Sequence, residues 1–109
     1  MNQIGLDYYR KRLDKLDALL MEICAYRFNI IRDVAVYKAN HDIQMMQPDR
    51  VTEIFATRTE YALELNLPTE LVKELFGIIL KYSCNEEDQI IDQINLTKGN
   101  ETNEKCTDS

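Results

Sequence analysis

Proline and glycine are scarce in this chain. Two Pro and three Gly in 109 residues leave little material for tight turns, which argues against many short strands and for a few long helices. Histidine occurs once, as His41 between two helical stretches, so neither a metal site nor a Ser-His-Asp triad is expected. No glycine-rich phosphate loop is present, and no cofactor is expected. Cys24, Cys84 and Cys106 are odd in number, far apart and without Cys-x-x-Cys spacing, so three reduced thiols are expected. Positive charge is also short. A net charge of −6 lacks the basic face that nucleic-acid binding uses to displace counterions, although a local cluster of Arg and Lys still focuses potential on a small anion. Met1 to Leu6 has no basic start and no apolar run. No signal peptide and no membrane span are therefore expected, and the location expected is cytoplasmic.

What is present is helical periodicity. The length suits one domain, and 45% hydrophobic with 29% charged residues is ordinary for a soluble globular protein. From about Leu6 to Asn40, Tyr9, Leu16, Ile23, Ile30 and Tyr37 recur every seven residues, and Leu6, Leu13, Leu20 and Val34 form a second row. The two rows make a heptad seam. A helix of this length rises about 50 Å, far beyond the radius of gyration of about 13 Å of a compact 100-residue domain. Two shorter helices of one chain cannot cover it, so a homodimer is expected. Pro48 suits the first turn of a second helix, whose face runs through Val51, Phe55, Arg58, Ala62 and Leu65 to near Asn66. Pro68 and Thr69 open a third, with Leu71, Val72, Leu75, Phe76, Ile79, Tyr82, Ile90, Ile91 and Ile94 on its apolar face. The fold class is all-α, three helices in a protomer. Residues 1–95 form the helical domain and 96–109 a polar tail without periodicity, expected to be disordered.

Several charges sit where a plain bundle would not place them. Arg27 occupies the seam between Leu20 and Val34, where an unpaired guanidinium is costly. It is either a registry-setting polar residue or an anion clamp. Lys38, eleven residues on, returns to within about 20° of Arg27 and lies about 16 Å further along the axis, so both face one groove. Arg10 lies about 100° away from Arg27 around the helix. It is either a surface arginine or, in a dimer, a contribution to the neighbouring groove. Arg50 adds a cation near a helix N-terminus, which itself attracts anions. Ser83 and Glu87 share a face at i, i+4 spacing, and on spacing alone Glu87 reads as a solvated carboxylate of the run Glu86-Glu87-Asp88. Cations without a base or nucleophile suit the binding of carboxylates, and any catalysis would work by positioning and electrostatics.

The ordered set Arg10, Leu16-Asp17, Arg27, Val36-Tyr37-Lys38-Ala39, Pro48-Asp49-Arg50, Ser83 and Glu87 resembles the all-helical chorismate mutase family. The match covers roughly Leu6 to Ile94. The resemblance implies a three-helix protomer interlocked as a homodimer, and a chorismate-like dicarboxylate as the small-molecule partner. It implies that Arg27 and Arg50, with Arg10 from the other subunit, hold the two carboxylates by bidentate pairing. It assigns Lys38 to a carboxylate and the ether oxygen, residue 87 to the same oxygen, and Ser83 to the pocket wall. The implied reaction is a [3,3] Claisen rearrangement needing no acid, base or cofactor. Two positions depart from the family pattern. Val51 stands where chorismate-converting members commonly carry a Glu that holds the ring C4 hydroxyl, and Glu87 stands where many bacterial members have Gln. An ionised Glu87 cannot donate to the ether oxygen; the alternative is that it pairs with Lys38 and shapes the site. Met45-Met46-Gln47-Pro48-Asp49-Arg50-Val51 with Glu87-Asp88 is similar to a subgroup that rearranges 4-amino-4-deoxychorismate. Chorismate follows as substrate, then an isochorismate-pyruvate lyase activity; a non-catalytic helical dimerisation module is the reading from a different class.

Overall fold

The computed structural model describes residues 5–45 and 47–98. Among these residues there are three α-helices and no strand: α1 (Leu6–Asn40), α2 (Pro48–Glu64) and α3 (Thr69–Thr97). Both interruptions are built the same way. At the end of α1, Asp42 takes a positive φ of 54° and the Ile43 N–H bonds back to the Lys38 carbonyl at 3.0 Å. At the end of α2, Asn66 has φ 57°, and the Leu67 N–H reaches the Ala62 carbonyl at 2.9 Å. These are Schellman-type stops, in which a left-handed residue lets the chain satisfy otherwise orphaned carbonyls. Asp and Asn are among the few non-glycine residues that tolerate that conformation, which is how a chain so poor in glycine makes two sharp stops.

Helix starts follow the expected chemistry. Pro48 occupies the first turn of α2 beside the acidic Asp49, where a missing N–H costs nothing. Pro68 precedes α3, with Glu70 in the first turn. The third helix runs to Thr97, one residue past Leu96, where the polar segment begins. The remainder of the expected tail, from residue 99, and Met46 of the Met45-Met46 pair lie outside the described residues. Cys24 is a free, exposed thiol. Cys106 lies outside the described residues.

The chain divides into two units, residues 1–30 and 31–109, with the boundary inside α1. In the first, the described residues are helical from Leu6, and both apolar rows of the seam are exposed: Leu13 at 56%, Leu16 at 59% and Ile23 at 63%. Among the described residues of this unit, only Arg27 and Phe28 are half-buried. The second unit has an interior. Ala35, Ala39, Met45 and Ile91 are buried together, with Ile90 and Ile94 packed against them. Ala35 and Ala39 are one turn apart on the last part of α1. Arg32 pairs with Glu86, Lys38 with Glu87, and the Lys98 ammonium with the Ala39 carbonyl. Rising numbers meet rising numbers, so the C-terminal half of α3 runs parallel to the final turns of α1. Among the described residues, Ile54, Ala62 and Val72 are the other buried apolar side chains, on α2 and α3. No helix among the described residues is long and apolar enough to cross a membrane.

Candidate active site

The polar interior of the second unit centres on Lys38. Its Nζ donates to Glu87 Oε1 at 2.8 Å and to the Met45 carbonyl at 2.8 Å. Both side chains are enclosed, 14% and 8% exposed. One turn before Glu87 on α3, Ser83 is 2% exposed, so the i, i+4 spacing does bring serine and carboxylate onto one buried face. Glu87 is thus not the solvated carboxylate that its place in an acidic run suggested. Lys38 is held from two sides: its own carbonyl receives the Ile43 N–H of the helix stop, and its ammonium anchors the Met45 carbonyl further along the same turn.

Why these residues are inside is a question of energy. Desolvating an ammonium and a carboxylate costs several kcal/mol each, and replacing such a pair with apolar groups of similar volume is often neutral or stabilising. Stability alone therefore does not account for the pair. Of the three N–H donors of an ammonium, the two bonds described use two, which leaves one donor to offer outward. A cavity of about 70 Å³ adjoins Lys38, lined also by Asp42, Met45, Asp88 and Asn95. It is far below the roughly 300–1,000 Å³ of typical ligand pockets, so the space enclosed here by one chain is smaller than a complete ligand pocket.

The other candidate residues occupy different surroundings. Arg50 is exposed in the first turn of α2, its guanidinium bonded to Glu53 one turn on. Val51 beside it is half-buried. Arg10 lies in the first unit, exposed and 3.8 Å from Asp7; Arg27, in the same unit, is half-buried. Ion pairs of the exposed i, i+3 kind are worth little, so both Arg10 and Arg50 can exchange their present partners for a ligand at small cost. No group of three or more His, Cys, Asp or Glu side chains arranged to hold a metal occurs among the described residues. A larger groove of about 460 Å³ runs between α2 and α3, with Arg58, Tyr61 and Phe76 on its walls. Its size suits a ligand, but its walls are mostly apolar and none of the candidate site residues lines it; the Arg58 guanidinium is stacked over Phe76 at 5.7 Å. The enclosed charges are those of Lys38 and Glu87.

Two contributors escaped the sequence reading. Ala35 is fully buried, and its only signal was its i, i+4 relation to Ala39. The Arg32–Glu86 pair at 2.8 Å had none, because opposite charges 54 positions apart are common in any chain with 29% charged residues.

Fold and pair together define an all-helical protein whose interior polarity is an ammonium–carboxylate contact between its first and third helices. The family model described as chorismate mutase type II matches residues 9–88, and the chain belongs to that family of isomerases. It is 33% identical over 86 residues to a 4-amino-4-deoxychorismate mutase of Streptomyces pristinaespiralis, covering 79% of this chain and 67% of that one. It is 30% identical over 95 residues to a 4-amino-4-deoxychorismate mutase of Streptomyces venezuelae, covering 87% and 92%. A T-protein of Enterobacter agglomerans is 23% identical over 78 residues, which span 72% of this chain but 21% of that protein. No solved structure matches.

Proposed function

We propose that this chain is a mutase that rearranges 4-amino-4-deoxychorismate to 4-amino-4-deoxyprephenate, with chorismate as the second substrate in order of preference. The observation that carries the reading is the enclosed Lys38–Glu87 contact, a charged arrangement that stability does not require. In the [3,3] rearrangement one C–O bond breaks as one C–C bond forms, and no proton need leave or arrive. The remaining donor of Lys38 meets the ether oxygen, where negative charge grows, and contributes by electrostatic stabilisation. Arg27 and Arg50 hold the two carboxylates, so that the enolpyruvyl arm sits over the ring in a reactive conformer. Arg10 comes from the partner of a homodimer, whose contact with the exposed α1 rows supplies the cover that a single chain leaves out. Ser83 forms part of the wall, and Glu87 sets the direction of the Lys38 ammonium.

The preference for the amino substrate rests on Val51 and on the activity for which the two Streptomyces relatives are named. A valine cannot accept a hydrogen bond from a ring hydroxyl, so the usual partner of C4–OH is gone. Incubating the full chain separately with 4-amino-4-deoxychorismate, chorismate and isochorismate tests the assignment. Turnover of the amino substrate with the highest kcat/KM is expected. Pyruvate release from isochorismate as the leading activity would move the protein to the lyases, and no turnover on any of the three would remove the enzyme reading.

A further inference from the structure

We propose that Arg32 and Glu86 form a positioning pair that selects which carboxylate of α3 faces Lys38. The proposal rests on the reading of Lys38 and Glu87 as site residues. On α3, Glu86, Glu87 and Asp88 follow one another, and each step turns the side chain by about 100°. A roll of α3 by one such step would offer Lys38 a different acid. Yet only Glu87 is buried, 6% exposed, while Glu86 and Asp88 are half-buried.

One contact cannot set that roll, but two contacts leaving α1 in different directions can. Arg32 precedes Lys38 by six residues, so it points about 120° away around α1 and sits about 9 Å lower along the axis. Arg32 Nε donates to Glu86 Oε2 at 2.8 Å, and Lys38 Nζ to Glu87 Oε1 at 2.8 Å. The two bonds end on adjacent residues of α3, and satisfying both fixes the rotation of the helix at this level. The guanidinium also offsets the charge of Glu86, which would otherwise compete with its neighbour for the same ammonium. The Arg32 side chain is 49% exposed and that of Glu86 25%, so solvent screens the pair and its effect is modest.

The test uses the full chain carrying Arg32→Gln, the swapped pair Arg32→Glu with Glu86→Arg, and Arg32→Gln added to Glu87→Gln. The ¹⁵N resonance of the Lys38 ammonium, measured by NMR without substrate, reports what faces that group. Turnover of 4-amino-4-deoxychorismate reports the consequence. Arg32→Gln is expected to displace the resonance and to lower kcat about two- to five-fold with little change in KM. The swap should restore both. In the Glu87→Gln background the arginine change should have no further effect on kcat, the non-additivity of residues acting through one another. An unmoved resonance, a swap that restores nothing, or multiplying losses in the double variant each overturn the proposal. If the unaltered chain turns over none of the three candidate substrates, the mutase reading falls, while the Lys38 resonance still decides the positioning role.

Discussion

The first thirty residues and the rest of the chain use the same apolar letters to different ends. In the second unit, Ala35, Ala39, Met45 and Ile91 are covered by their own chain. In the first unit, the leucines and isoleucines of the heptad seam are large, regularly spaced and exposed. Arg10 pairs there with Asp7 and Arg12 lies over the Tyr8 ring at 5.6 Å, both local contacts, whereas in the second unit Arg32–Glu86 and Lys38–Glu87 join helices distant in sequence. The difference is instructive. Apolar periodicity fixes which face a helix will bury, while burial itself depends on there being something to lie against. A large exposed apolar surface of this kind marks an interaction face in soluble proteins, which is why the proposed function includes a second copy of the chain.

The sharpest way to break the comparison is at the interior charge. Lys38→Ala is expected to lower kcat/KM by about 10²–10³-fold, the usual loss for a donor aimed at developing negative charge. Because it strands a carboxylate that is 8% exposed, it should also destabilise the fold by about 3–5 kcal/mol, measured by urea denaturation. The doubly apolar Lys38→Met with Glu87→Leu should recover that stability and remain inactive. Recovery of activity along with stability would show the pair to be structural. Next in size is the seam. Leu16→Asp in the first unit should convert a dimer into monomers by sedimentation velocity and abolish turnover, while the helical circular dichroism of the second unit persists. An unchanged sedimentation coefficient would mean that the exposed rows are covered by nothing.

Smaller effects sharpen the picture. Val51→Glu is expected to shift the ratio of kcat/KM for chorismate over 4-amino-4-deoxychorismate by about tenfold towards chorismate, since the carboxylate again offers the hydroxyl an acceptor. A ratio that does not move would take residue 51 out of the specificity argument. Smallest is Asp42→Gly at the stop of α1. With φ at 54°, glycine relieves the Cβ strain, and a gain of up to about 1 kcal/mol is expected in the same urea experiment. A loss would show that the Asp42 side chain contributes more than its backbone conformation costs.

The helices were legible because their signals are local. The seam spanned Leu6 to Asn40, and α1 has those bounds. Pro48 and Pro68–Thr69 marked the starts of α2 and α3, and Asn66 the region where α2 stops. The buried face of α3 was half legible: spacing paired Ser83 with Glu87 but could not tell inside from outside in so acidic a stretch. Burial there is decided by Lys38, 49 positions away, and no window along the chain contains both. Ile54 shows the same limit on α2. It is 4% exposed although the spacing favoured its neighbour Phe55, because the helix turns a slightly different face inward than a repeat of 3.6 alone selects. The Met45 carbonyl as a lysine partner was invisible, since every residue carries a carbonyl.

The double hold of Lys38 on the segment after α1 makes that segment intolerant of length change. An inserted or deleted residue between Asp42 and Pro48 would cost little in loop entropy, and by that measure the link should vary freely among relatives. Here the Lys38 carbonyl is tied to Ile43 and its ammonium to Met45, five and seven positions on. A change of one residue before Met45 would slide its carbonyl off the ammonium. Substitution at the exposed Ile43, Gln44 and Gln47 is cheap, whereas a shift in count reaches the Lys38 contacts at once. Sequence drift here should therefore proceed letter by letter, at constant length.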